Sequence, residues 1–319
     1  MKALIIDRVS PLIEIGLKKY KFDVKIEILP TREKLKKMLP EYDLLIMRVD
    51  PRVDKELLDI ASGHIKMIGV CAAGLNHIDL EYAKKCGIFI QNAPGINYNA
   101  VAELTITKMI DLSRMCIQAN YEVQNKGLWN KYKYTGHELH GHRLGIIGLG
   151  HIGKRVAVLA KAFGMDVIAY DPYIPERDFL ETCVSKEDSL KVLFEISDYI
   201  SIHTPMNVET KGMVSKELIE IMKPDAILIN CARGGLVDEN AVADALKKHK
   251  IKGYGSDVLT NELTGNGLLA NAKLTSPLIG VDGFIVSPHI GGSTYEAYDQ
   301  IGQFIVDNVA AFFGMKNSL

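Results

Sequence analysis

The chain has 319 residues, 47% of them hydrophobic and 24% charged, with a formal net charge of −1. That length exceeds one small core and predicts two domains, and near-neutrality gives no general attraction for nucleic acid or a membrane surface. No apolar run approaches the roughly 18 residues of a bilayer-spanning helix, and the five scattered cysteines lack metal-ligand spacing, which suits small apolar fillers in a reducing cytoplasm.

The chain opens as a strand, Lys2–Asp7, rather than as a signal peptide. Further strands are predicted at Val24–Leu29, Leu44–Met47, Lys66–Val70 and Ile88–Gln91, with helices at Ser10–Tyr20, Thr31–Met38 and Asp79–Lys85 between them. A long helical stretch, Ala100–Gln118, follows. Lys126–Glu138 then sets Trp129, Tyr132 and Tyr134 among lysines with neither helical nor strand period. It reads as a plain surface loop or, because three large aromatics in an arm call for burial, as a subunit contact; the second is preferred. Six strands come next: Leu144–Ile147, Val167–Tyr170, Tyr199–Ile202, Ala226–Asn230, Tyr254–Asp257 and Phe284–Ser287. Thr294–Phe313 closes as a helix. Alternation of this kind predicts α/β layers with parallel sheets, and the two long helices suit crossings between domains.

Residues 144–171 carry the strongest local signal. The apolar run Leu144–Ile147 leads into Gly148, Gly150 and Gly153 at GxGxxG positions, then a helix to Phe163, then Val167–Tyr170 and Asp171. Gly148 permits a tight turn, Gly150 lets backbone approach a pyrophosphate, and Gly153 lets the helix lie close to the strand. The N–H groups at the helix start favour phosphate. Asp171 suits a ribose 2′-OH and repels a 2′-phosphate, which points to NAD rather than NADP.

Ligands of doubly wound sheets bind beyond the carboxyl ends of the strands. There the sequence places His203-Thr204-Pro205, Cys231-Ala232-Arg233, Asp257 with Glu262 shortly after it, and Pro288-His289-Ile290-Gly291-Gly292. An arginine, a carboxylate and a histidine after three strands suit hydride transfer to a carbonyl. Histidine donates the proton, the carboxylate supports the imidazolium, and arginine grips a substrate carboxylate. Taken singly, Arg233 also fits a surface cation, Glu262 a solvated acid and His289 a strand cap. The other histidines follow no ligand pattern, so no metal site is expected.

These residues resemble the D-2-hydroxyacid dehydrogenase family over essentially the whole chain. The match rests on Gly148–Gly153 with Asp171, Asn230–Gly235 leading into Leu236-Val237-Asp238-Glu239, Asp257 with Glu262, and Ser287–Thr294. Gly127–Gly150 and the end of the last motif most resemble the D-3-phosphoglycerate dehydrogenase branch, in a short form without a regulatory domain. The resemblance implies two doubly wound parallel-sheet domains. A Rossmann NAD domain (residues 99–289) would be inserted into a flavodoxin-like substrate domain (residues 1–98 and 290–319), in a homodimer built through the NAD domain and its arm.

It further implies Arg233, Glu262 and His289 as the catalytic group, with Arg233, Arg48, Ala73 and Gly74 meeting the substrate. Gly148, Gly150, His151, Ile152, Gly153, Asp171, Thr204, Pro205, Cys231, Ala232, Asp257, Gly291 and Gly292 would line the cofactor, Asp257 at its nicotinamide end. Val70 stands where some phosphoglycerate enzymes have arginine, Leu263 where the family has proline, and Gly265–Gly283 is long. The implied activity is interconversion of a small D-2-hydroxy acid and its 2-oxo acid. Phosphoglycerate leads, with glyoxylate, hydroxypyruvate or other D-2-hydroxy acids as alternatives. A non-enzymatic alternative is an NAD(H)-sensing scaffold resembling the C-terminal-binding-protein co-repressors. Formate-type chemistry, which in this family replaces the glutamate with glutamine, is disfavoured by Glu262.

Overall fold

The computed structural model describes residues 1–262 and 273–315. Leu263, the first part of Gly265–Gly283 and the last residues of the expected 290–319 segment lie outside them. The described chain divides into two compact units, residues 1–97 with 292–315 and residues 98–262 with 273–291.

In the first unit the elements are β1 (Lys2–Ile5), α1 (Pro11–Lys19), β2 (Asp23–Ile26), α2 (Arg32–Met38), β3 (Leu44–Met47), α3 (Lys55–Ala61), β4 (Met67–Val70), α4 (Leu80–Lys85) and β5 (Phe89–Asn92). Each helix starts where a polar side chain accepts an otherwise unpaired N–H: Ser10 from Leu12, Thr31 from Lys34, Asp54 from Leu57 and Asp79 from Tyr82. The strands pair in parallel in the order β2-β1-β3-β4-β5, the flavodoxin-like arrangement. Central strands covered on both faces need apolar residues throughout, and every residue of β3 and β4 is buried.

The second unit contains α5 (Tyr98–Arg114), α6 (Cys116–Lys126), β6 (Arg143–Ile147), α7 (His151–Ala162), β7 (Asp166–Tyr170), α8 (Glu176–Glu181), β8 (Ser185–Lys186), α9 (Leu190–Ile196), β9 (Tyr199–Ile202), α10 (Lys216–Glu220), β10 (Ile227–Asn230), α11 (Glu239–Lys247), β11 (Gly253–Ser256) and β12 (Phe284–Val286). Its seven parallel strands run β12-β11-β10-β9-β6-β7-β8. Strand order reverses between β6 and β9, the crevice where a Rossmann sheet takes its ligand. The last helix, α12 (Tyr295–Phe312), packs on α1, β4 and β5 of the first unit. There Phe312 stacks on Phe89 with ring centroids 5.1 Å apart.

Three expectations are corrected. Among the described residues the nucleotide sheet has seven strands rather than six, because β8 is only two exposed residues, too short to carry a period. The Ala100–Gln118 stretch is two helices, broken where Met115 takes a left-handed φ of +54°. The second of them runs to Lys126, so the aromatic arm starts at Gly127 and includes a 3₁₀ turn at Lys131–Tyr134.

Candidate active site

The glycine turn is built as its spacing predicts. Gly148 has φ +89°, and a Cβ there would lie 2.9 Å from Thr204 Cγ2 and 3.0 Å from the His203 carbonyl. The β6 and β9 ends therefore meet with no room for a side chain. At Gly153 a Cβ would lie 2.1 Å from the Gly148 carbonyl oxygen, so glycine lets α7 close onto the turn. At Gly150, by contrast, a Cβ would meet nothing within 4 Å, which leaves open space beside the helix start for a ligand's phosphates. His151 and Ile152 open α7 next to it. Asp171 follows β7, and its carboxylate accepts the N–H of Leu149 (2.9 Å) and of Tyr173 (3.0 Å). Each oxygen keeps a second lone pair for a ribose hydroxyl.

After β9, Thr204 approaches Met213 Sδ at 3.7 Å, and the Pro205 carbonyl accepts from Thr210 Oγ1 at 2.6 Å. His203 is hydrogen-bonded through Nε2 to Ser201 Oγ at 2.7 Å, and burial pushes its pKa down to about 3, so it is neutral. Cys231 and Ala232 are buried at the end of β10, and burial pushes the Cys231 thiol up to about 12.

Arg233 follows, with Nη1 donating to the Ala232 carbonyl at 2.7 Å. Burial draws its pKa below the ordinary value and the Glu262 charge opposes that. Gly234 seats this loop: a Cβ there would lie 2.0 Å from the Leu259 carbonyl carbon, so only glycine lets the Arg233 turn touch the stretch leading to Glu262. Glu262 Oε1 accepts the Leu259 N–H at 3.1 Å, and its Oε2 lies 2.7 Å from His289 Nδ1. A carboxylate only accepts, so Nδ1 carries the proton in that contact and Nε2 is the free reactive nitrogen.

His289 itself has φ +54°, a conformation that a non-glycine residue adopts only under constraint. Asp257 supplies that constraint. Its carbonyl accepts the His289 N–H, and its carboxylate accepts Ser287 Oγ–H, Ile290 N–H (3.0 Å) and Gly291 N–H (2.7 Å). Asp257 is 1% exposed, and its side chain, which the resemblance places at the nicotinamide end, holds the histidine turn. Gly291 correspondingly gives its N–H to Asp257, and Gly292 packs beside Asn97 in the first unit.

Within the first unit, Arg48 stands just past β3, and Ala73 and Gly74 follow β4, so all three leave neighbouring strands at their carboxyl ends. Arg48 Nη1 donates to the Tyr298 hydroxyl at 2.9 Å, and its guanidinium carbon lies 4.7 Å from the centre of that ring. The Ala73 carbonyl accepts from Asn92 Nδ2 at 2.6 Å.

Residues 106–291 match the NAD-binding domain of the D-isomer specific 2-hydroxyacid dehydrogenases. The chain belongs to that family. It is 35% identical over 303 residues to the D-3-phosphoglycerate dehydrogenase of Methanocaldococcus jannaschii, covering 95% of this chain and 55% of that protein. It is 35% identical over 284 residues to the hydroxypyruvate reductase of Thermotoga maritima, covering 89% of each. The chain thus spans about half the length of the curated phosphoglycerate dehydrogenases it matches. Among solved structures, D-lactate dehydrogenase from Aquifex aeolicus, complexed with NAD and lactic acid, superposes with a TM-score of 0.84 at 30% identity, covering 98% of this chain and 96% of that one.

In this member of the family, the open space at Gly150 and the spare lone pairs of Asp171 fit an NAD pyrophosphate and ribose. Two further residues support this site. Fully buried Asn230 accepts the Ala232 N–H and donates to the Arg233 carbonyl, fixing the arginine turn. Lys108, buried on α5, places a cation near Cys231 and Asp257, and burial lowers its pKa. Cys231 and Asp257 are distant from it in sequence, so no spacing signals this placement.

Proposed function

We propose that this protein is an NAD-dependent oxidoreductase interconverting a small D-2-hydroxy acid and its 2-oxo acid. The observation that carries the reading is the 2.7 Å Glu262–His289 contact, with Glu262 close enough for its charge to act on Arg233. Gly148–Gly153, Asp171, Thr204 and Cys231 would hold the coenzyme, which when bound supplies or accepts the hydride. Arg233 binds the substrate carboxylate through its planar fork and polarises the adjoining carbonyl. His289 delivers the Nε2 proton to the carbonyl oxygen in reduction and removes it from the hydroxyl in oxidation. Glu262 fixes the ring and offsets its positive charge. Arg48 and the Ala73-Gly74 loop are assigned to the substrate, residues 1–98 with 290–319 to the substrate domain and residues 99–289 to the NAD domain.

For the substrate, 3-phosphoglycerate leads, supported by the phosphoglycerate dehydrogenases among the relatives. Hydroxypyruvate is the second reading, favoured by a match along 89% of both chains. A homodimer is supported by Trp129 and Tyr132, held out to solvent at 85% and 81% exposure, and a cytoplasmic setting by five free cysteines.

The test is NADH oxidation against phosphohydroxypyruvate, hydroxypyruvate, glyoxylate, pyruvate and oxaloacetate, with D and L hydroxy acids in reverse. Turnover on at least one, lowered about 10²- to 10⁴-fold by His289→Ala, is expected. No turnover on any, or a near-native rate in that variant, refutes the reading.

A further inference from the structure

Glu262 acts only if the stretch that carries it stays in place, and one buried carboxylate holds that stretch from both sides. Glu239 is the first residue of α11 and is 8% exposed. Its Oε1 accepts the Thr260 N–H at 2.6 Å and its Oε2 accepts the Ser276 hydroxyl at 2.7 Å. Thr260 lies two residues before Glu262, and Ser276 lies beyond residues 263–272. The same stretch touches Gly234, next to Arg233.

Helix capping does not account for this side chain. Asp238 already caps α11, accepting the N–H groups of Asn240 and Ala241 at 3.0 and 3.1 Å. An acid at the helix start gains from the helix dipole while fully hydrated, so its burial has to be explained by what it binds. What it binds is one main-chain N–H and one hydroxyl, from segments 16 residues apart in sequence and meeting at this carboxylate.

We propose that Glu239 is a positioning residue: it clamps Thr260 and Ser276 together so that Glu262 is presented to His289 Nδ1. This rests on the reading of Glu262 and His289 as the acid–base pair. Glu239 touches neither of them and acts through Thr260.

The experiment is a double-mutant cycle on the full chain, with kcat and KM for NADH measured on the best substrate of the panel above. Glu239→Ala is expected to lower kcat about tenfold or more, towards the hundredfold that a misplacement of about 1 Å produces, with KM for NADH nearly unchanged. Glu239→Gln restores most of kcat, since its amide oxygen still accepts from Thr260 and its amide nitrogen donates to Ser276 Oγ. In a Glu262→Ala background, Glu239→Ala causes no further loss. Where Glu239→Ala does not fold, Ser276→Ala removes one arm of the clamp and is carried through the same cycle.

Equal fractional losses of kcat in both backgrounds overturn the proposal. So does a lowered melting temperature with an unchanged kcat per folded molecule. If His289→Ala and Glu262→Ala are strongly impaired while Glu239 shows no coupling to Glu262, this proposal alone fails. If both retain near-native rates, the acid–base reading fails and takes the proposal with it.

Discussion

At the scale of single residues, the nucleotide unit sets two of its histidines in different surroundings. His289 is half-exposed on a constrained turn, free to meet a substrate. His203 lies behind the glycine turn, neutral, with burial pushing its pKa from 6.5 to about 3. The consequence is a proton linkage of definite sign. In the unfolded chain His203 regains its ordinary affinity for protons, so between pH 6.5 and about 3 unfolding takes one up. Its contribution to stability is complete above pH 6.5 and declines as pH falls, at up to about 1.4 kcal/mol per pH unit. Urea unfolding at pH 7, 6, 5 and 4 should therefore show a shallower acid decline for His203→Gln than for the parent. Parallel curves would mean that the imidazole titrates in the folded state. The three residues proposed as catalytic are legible from sequence because each follows a strand and carries unusual chemistry for that position. Glu239 and Asp257's hold on the His289 turn are not, because their partners come from segments distant in the chain.

At the scale of elements, the strands that the sequence marks most plainly are those buried on both faces, such as β3, β4, β9 and β10, where an unbroken apolar run is the physical requirement. What escapes is what lacks a period: the two exposed residues of β8, and the helix break at Met115, a residue type with no preference for a left-handed turn. The strand–glycine–helix unit is legible in full, and its three glycines separate into two mechanical classes. Gly153→Ala drives a Cβ into the Gly148 carbonyl, so α7 has to move off the turn. A destabilisation of about 1–3 kcal/mol, the usual cost of overpacking, is expected together with weaker NADH binding. Gly150→Ala meets open space at a φ of −75°, which alanine adopts freely, so the fold should keep its stability and only NADH binding should suffer. Denaturant unfolding paired with NADH fluorescence titration separates the two. Loss of stability in Gly150→Ala, or unaltered NADH affinity in it, would contradict the assignment of that gap to the pyrophosphate.

At the scale of the molecule, the aromatic arm is the feature the monomer leaves unexplained. Its base is well anchored: Glu122, 7% exposed on α6, accepts from Lys133 Nζ at 2.7 Å and from the Tyr134 hydroxyl, and these partners hold the carboxyl below its usual range. Only one of the three aromatics is used in this way. Leu128, Trp129 and Tyr132 stand at 50%, 85% and 81% exposure, and Ile117 and Tyr121 of α6 are more than half exposed as well. An anchored segment that displays its largest apolar side chains has the form of an interface half, rich in the residue types that dominate binding. With a net charge of −1 there is little long-range repulsion between two copies. Trp129 is the sole tryptophan, so its emission reports on this surface directly. Dimerisation should shift that emission to the blue as concentration rises, and the parent should sediment as a dimer at micromolar concentration. Replacing Trp129 and Tyr132 by serine should yield monomers whose secondary structure is intact by circular dichroism. A parent that sediments as a monomer, or a double variant that sediments as the parent does, would remove the arm from any subunit contact.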